Sequence, residues 1–181
     1  MARVCPWWHA FAFDNWFRRV LLRPEKMFEP YVRPGMTVLD VGCGMGVNAI
    51  ALARMVGDQG RVIAVDVQQK MLDVLEKRAE RAGVAQRISA HRCKPDSIGT
   101  DTEVGFAVAF WVLHEAPDAA SFLSQVRSCL CPGGKLLVVE PRSHVSAEAF
   151  QEMLAAAKAA GLTLCGEPRI RFSRTAVLVR E

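Results

Sequence analysis

From Val38 onward, short apolar runs alternate with longer amphipathic stretches: VLDVG, NAIALARMVG, VIAVDV, KMLDVLEKRAERAG, RISAHR, FAVAFWVLHE, AASFLSQVRSCL and KLLVVEP. Nearly continuous Val/Ile/Leu strands separated by helical periodicity predict a parallel sheet covered on both faces, with right-handed crossovers. The class is α/β, doubly wound. Gly57 and Gly60, then Gly83, then Pro132-Gly133-Gly134 punctuate the predicted elements. After Pro141 the rhythm changes. SAEAFQEMLAAAKAAG reads as one helix capped by Ser146, and LTLCGEP and RTAVLVR read as two strands whose short connection favours an antiparallel pair. Residues 1–36 form a lead segment dense in Trp, Phe and Arg, with helix expected around Phe11 to Leu22 and again near Pro24 to Tyr31.

Composition narrows the class without naming a function. A chain of 181 residues, 51% hydrophobic and 23% charged, suits one globular domain, divided here into 1–36, a core over 37–141, and a tail over 142–181. No run of about 18 uncharged apolar residues is present for a membrane span. Asp14 and neighbouring polar residues interrupt the apolar lead, so it does not read as a secretory signal, and a cytoplasmic location is expected. Cys5, Cys43, Cys93, Cys129, Cys131 and Cys165 lack paired CxxC spacing and read as reduced thiols, with no metal site expected. The net charge of +4 is dispersed, apart from small concentrations at Arg18-Arg19 and Arg169 to Arg174, so a nucleic-acid partner is not favoured.

The informative stretch is VLDVGCGMG. In an open α/β sheet the ligand sits beyond the carboxyl ends of the strands, and the first strand-to-helix turn is the usual contact. Gly42, Gly44 and Gly46 occupy that turn, and the next strand ends in Asp66, roughly twenty residues on, where a ribose-binding acid is expected. The loop GCGMGV departs from the dinucleotide pattern GxGxxG because its third glycine comes one residue early, leaving Val47 at the fingerprint position. Asp40, two residues before the first glycine, disfavours a nearby pyrophosphate and suits a ligand with cationic ammonium and sulfonium centres. The P-loop spacing is absent.

VLDVGCGMG, VIAVDVQQKML, FWVLHEAPD and LCPGGKLLVVEP together resemble a class I S-adenosylmethionine-dependent methyltransferase of the ubiquinone-biosynthesis and arsenite-methyltransferase-like group, over about Pro34 to Pro141. The resemblance implies a Rossmann-like seven-stranded sheet, mostly parallel, ending in the antiparallel strand pair. It also implies S-adenosylmethionine as cofactor: Asp40, Gly42, Cys43 and Gly44 around the methionine part, Asp66 on the ribose, and Val67 on the adenine. Asp96 and Ser97 are expected near the adenine amino group, and Phe110 completes the cofactor-binding set. His114 and Glu115, after the fourth strand, are candidates for a catalytic base, and His9 is a further candidate in the lead segment. His144 reads equally as a surface or packing residue. The branches that methylate DNA bases and protein amides carry an acidic, Asn or Ser residue, then Pro-Pro and an aromatic, where this chain has FWVLHEAP.

These features favour methyl transfer to a small-molecule acceptor, with Trp7, Trp8, Trp16 and Phe17 as an apolar cover over it. Arg18 and Arg19 would recognise an anionic acceptor or form a solvated helix face. Three other readings stay open: an RNA or protein acceptor, a nicotinamide-dependent oxidoreductase, and a non-catalytic cofactor-binding protein. Metalloid capture by thiols would involve Cys5 and Cys93 rather than Cys43, which lies inside the cofactor loop.

Overall fold

The computed structural model describes residues 23–181. Helix α1 (Pro24–Phe28) precedes β1 (Thr37–Val41), and α2 (Val47–Val56), β2 (Arg61–Asp66), α3 (Gln69–Arg81) and β3 (Ile88–Arg92) follow. Next come β4 (Val104–Phe110), α4 (Ala119–Cys129), β5 (Leu130–Pro141), α5 (Ala147–Ala159), β6 (Leu162–Gly166) and β7 (Ser173–Arg180). The strands form one seven-stranded sheet in the order β3-β2-β1-β4-β5-β7-β6. Strands β1 to β5 pair in parallel, whereas β7 runs antiparallel to both β5 and β6. The predicted doubly wound sheet is therefore present, and the terminal antiparallel pair joins it through β7, the last strand of the chain.

Alternation along each strand divides the core between the two faces. Val38, Val62, Ala64, Phe106, Val108 and Leu137 pack with Phe28 of α1, Leu52 of α2 and Leu75 of α3. Leu39, Ile63, Ala107, Leu136 and Leu178 pack on the other face with Leu123 and Val126 of α4 and Phe150 of α5. Caps fix where the helices of this second face begin. Asp118 accepts from the Ala120 and Ser121 N–H groups at 2.9 and 3.1 Å, and Ser146 accepts from Ala149 N–H at 3.1 Å, as its cap position predicts.

Two boundaries differ from the sequence expectation. FAVAFWVLHE does not continue as a strand, because Trp111 takes φ 58° and donates its N–H to Val139 O at 2.7 Å, after which Leu113–Glu115 form a 3-10 turn. Pro132-Gly133-Gly134 does not precede β5 but lies within it. Leu130 already pairs with Val104, and a register shift absorbs the next residues before Lys135 pairs with Phe106. The lead helix expected around Phe11 to Leu22, the aromatic cover at Trp7, Trp8, Trp16 and Phe17, and His9, Cys5, Arg18 and Arg19 lie outside the described residues.

Candidate active site

Strands β1, β2, β4 and β5 end at one edge of the parallel sheet, and the candidate residues gather there because their sequence positions are strand termini. The turn after β1 is held by backbone: Gly42 and Cys43 N–H both donate to Val65 O, at 2.8 and 3.0 Å. Asp66 closes it from the neighbouring strand. Its Oδ2 accepts from Gly44 N–H at 2.9 Å and its Oδ1 from Gln68 N–H at 2.8 Å. Burial raises the Asp66 pKa above the ordinary carboxylate value, while the bonds from Gln68, Gly44 and Val67 N–H oppose that rise. Arg78 of α3 steadies the far side of the turn by donating Nη1 to Met45 O at 3.2 Å.

The three glycines serve different purposes. A Cβ on Gly42 would lie 2.4 Å from Val112 Cγ2, and one on Gly46 would lie 2.7 Å from Leu75 Cγ, so both are required by packing as well as by φ values of +69° and +85°. A Cβ on Gly44, at φ +53°, would meet no heavy atom within 4 Å. The backbone therefore faces open space at Gly44, beside the carboxylate of Asp66. This cradle fits a ligand that lies against main chain and presents hydroxyls to an acid, since a carboxylate accepting from these three N–H donors still has a lone-pair site to offer. Asp40 is fully buried on β1, beneath the turn.

The remaining candidates have partners of their own. Val67 follows Asp66 and is partly buried, with its carbonyl accepting from Arg92 Nε at 3.3 Å. Asp96 is exposed in a tight turn in which Lys94 pairs with Ser97; its own carbonyl accepts from Gln125, and the Ser97 hydroxyl accepts from Gly99 N–H. Phe110 is buried in the core at the end of β4, its ring 5.2 Å from that of Trp111. Burial, then the charges of Asp40 and Asp66, pushes the Cys43 thiol well up, and burial with the charge of Asp66 raises Cys93 to about 11. Both thiols therefore stay protonated at neutral pH, a state unsuited to binding a soft metalloid. Among the described residues no three His, Cys, Asp or Glu side chains are grouped to hold a metal ion.

The close approach of Gly42 to Val112 brings the glycine turn against the segment that carries His114. There the structure adds a residue the motif reading passed over. Glu140 on β5 is completely buried, its Oε1 accepting from Leu113 N–H at 2.9 Å and its Oε2 lying 2.5 Å from His114 Nδ1. Burial lowers the His114 pKa, but the hydrogen bond to Glu140 and the charges of Glu140 and Glu115 outweigh it, so the net direction is upward. With the carboxylate accepting, Nδ1 carries the proton and the neutral ring presents Nε2 as a base. His144 stacks on His114 with ring centroids 5.6 Å apart. Glu115 lies in the same 3-10 turn and is partly buried. The sequence signal for Glu140 was a lone carboxylate inside the apolar run KLLVVEP.

Residues 33–168 match the methyltransferase domain family. The ribosomal protein L11 methyltransferase of Pelotomaculum thermopropionicum is 36% identical over 143 residues, which is 77% of this chain and 42% of that protein. The demethylmenaquinone methyltransferase of Bacillus cereus is 31% identical over 118 residues, 65% of this chain and 50% of its own length. The chain thus spans half or less of these relatives. In fold it is similar to a SAM-dependent methyltransferase from Aquifex aeolicus, at TM-score 0.88 and 23% identity, covering 98% of this chain and 100% of that one. The family match, the sheet order and the glycine turn beside Asp66 lead to one conclusion: the chain belongs to the methyltransferase domain family, in its class I S-adenosylmethionine-dependent form.

Proposed function

We propose that this protein transfers a methyl group from S-adenosylmethionine to a small-molecule acceptor and that His114, oriented by Glu140, takes the acceptor's proton. The observation that carries the reading is the junction of two features: an open glycine backbone beside Asp66, and a buried-carboxylate-held histidine on the segment packed against that turn. When bound, the cofactor would supply a sulfonium-borne methyl, with a neutral thioether as the leaving group. Gly44 gives the ligand backbone to lie on, Asp66 offers acceptor sites for ribose hydroxyls, and buried Asp40 favours a cationic ligand. Gly42 and Cys43 complete that contact, with Val67, Asp96 and Ser97 assigned to the adenine side and Phe110 to the remainder of the cofactor-binding set. His114 Nε2 would take the acceptor's proton, and Glu140 would stabilise the resulting imidazolium through Nδ1–H. Residues 1–36 are assigned as the acceptor cover. The five unbridged cysteines of the described residues support action in the cytoplasm.

Titration calorimetry with S-adenosylmethionine, S-adenosylhomocysteine and NADH in parallel tests the reading. Binding of the first two, without NADH, is the expected result. Binding of NADH alone would replace methyl transfer with a redox function.

A further inference from the structure

Past the carboxyl end of β5, a groove of about 660 Å³ runs between the start of α5 and the turn joining β6 to β7. Four arginines line it: Arg142, Arg169, Arg171 and Arg174. Two of them are fixed by their Nε atoms, Arg142 donating to Ser173 O at 3.1 Å and Arg174 to Val145 O at 3.0 Å. Neither forms an ion pair with a carboxylate among the described residues. The guanidinium forks are thus oriented by backbone carbonyls, and their terminal nitrogens are available for a planar oxyanion.

An aromatic side chain stands beside them. Phe172 is 66% exposed, and its backbone takes φ +59°, a conformation that a bulky residue rarely adopts, while its carbonyl accepts from Arg142 N–H at 2.9 Å. An exposed phenylalanine between Arg171 and Arg174 offers a flat face to a ring. Register ties the groove to the candidate base. Arg174 pairs directly with Glu140 across β5 and β7, His144 stacks on His114 only two residues from Arg142, and Trp111 Nε1 donates to Ser173 Oγ at 3.1 Å.

We infer that this groove is the acceptor-recognition site and that it takes a small ring-bearing molecule with one phosphate or carboxylate group, the oxyanion on the arginines and the ring on Phe172. The inference rests on the proposed methyl transfer for the word acceptor, but not for the binding itself. A small anion is favoured over a nucleic-acid strand because carboxylates interrupt the basic surface. Glu167 lines the groove, and Glu148 is held in its ionised form by its own backbone N–H, the Ser146 hydroxyl and the charge of Arg174. A run of phosphates would meet these acids, whereas one oxyanion would not.

The test is titration of the full chain with 1-naphthyl phosphate and 1-naphthoate, followed through the arginine Nε–H resonances, with 1-naphthol as the neutral control. We expect saturable binding of at least one of the two anions, with the preferred one naming the oxyanion. Weakening by roughly tenfold or more is expected in R142A/R174A, which removes the two oriented forks, and for 1-naphthol. Equal affinity for 1-naphthol, or unchanged binding in the double variant, would overturn the site. A single-stranded RNA that binds more tightly, with affinity rising with its length and falling steeply with salt, would overturn the small-anion form in favour of a nucleic-acid surface. Calorimetry with S-adenosylmethionine on the same variant separates the two proposals. Retained cofactor binding with lost anion binding supports the groove, whereas a wild-type chain that binds the anion and no cofactor defeats the methyl-transfer reading alone.

Discussion

At the scale of single residues, the glycine turn separates open backbone at Gly44 from packing at Gly42 and Gly46, and the three glycines should fail in different ways when substituted. Gly44→Ala adds a methyl where no atom lies within 4 Å, so its stability cost is the left-handed backbone alone, about 1 to 2 kcal/mol. Its cofactor binding should nevertheless collapse. Gly42→Ala and Gly46→Ala drive a methyl to 2.4 Å from Val112 and 2.7 Å from Leu75, adding about 1 to 3 kcal/mol of overpacking to the same backbone cost. Urea unfolding beside calorimetry checks the contrast, and a Gly44→Ala protein that binds S-adenosylmethionine normally would remove this loop from the site. Asp66→Ala should weaken cofactor binding by about 1.5 to 3 kcal/mol, since it removes a charged acceptor and releases the Gly44 N–H that fixes the turn. Unchanged affinity would detach Asp66 from the ribose.

At the scale of elements, the decisive pairing is between the segment after β4 and the end of β5. Glu140 favours the imidazolium of His114, so the His114 ring should titrate above the ordinary histidine value near 6.5. Glu140→Gln should lower that titration, which nuclear magnetic resonance of the imidazole carbon-bound protons reads directly; an unshifted midpoint would mean that Glu140 does not control the ring. Because the folded value is raised, the pair's contribution to stability is complete below the unfolded value and is lost as pH rises through the folded one. His114 was legible in the sequence from its place after a strand, whereas Glu140 was not, because the two are 26 residues apart and only the parallel pairing of β4 with β5 joins them. The strands of the parallel sheet were legible because apolar periodicity records burial on both faces. Insertion of β7 between β5 and β6 was not, since a short connection predicts that β6 and β7 pair and carries no information about the other neighbour of β7. The same insertion assembles the arginine groove by bringing Arg142 beside the basic concentration that the sequence shows at Arg169 to Arg174.

At the scale of the molecule, charge is sorted by depth: the buried carboxylates of the described residues are Asp40, Asp66 and Glu140, all at the carboxyl ends of parallel strands, while the groove arginines stand at or near the surface. That arrangement makes one end of the sheet interior favourable to cations and hostile to further negative charge. The thiols beside it report the effect. Cys93 ionises near 9.0 when unfolded and near about 11 when folded, through burial and the charge of Asp66, and Cys43 is displaced in the same direction. Between those two values the unfolded chain has lost a proton that the folded chain keeps, so unfolding releases a proton and stability falls as pH rises. Below the unfolded value both states hold the proton and the contribution is fully present. Wild-type protein should therefore lose resistance to urea across that alkaline interval, and Cys93→Ser, which cannot ionise, should lose less. Parallel curves for the two proteins would show that burial and the Asp66 carboxylate together do not hold the Cys93 proton, and would weaken the case for a buried negative field at this end of the sheet.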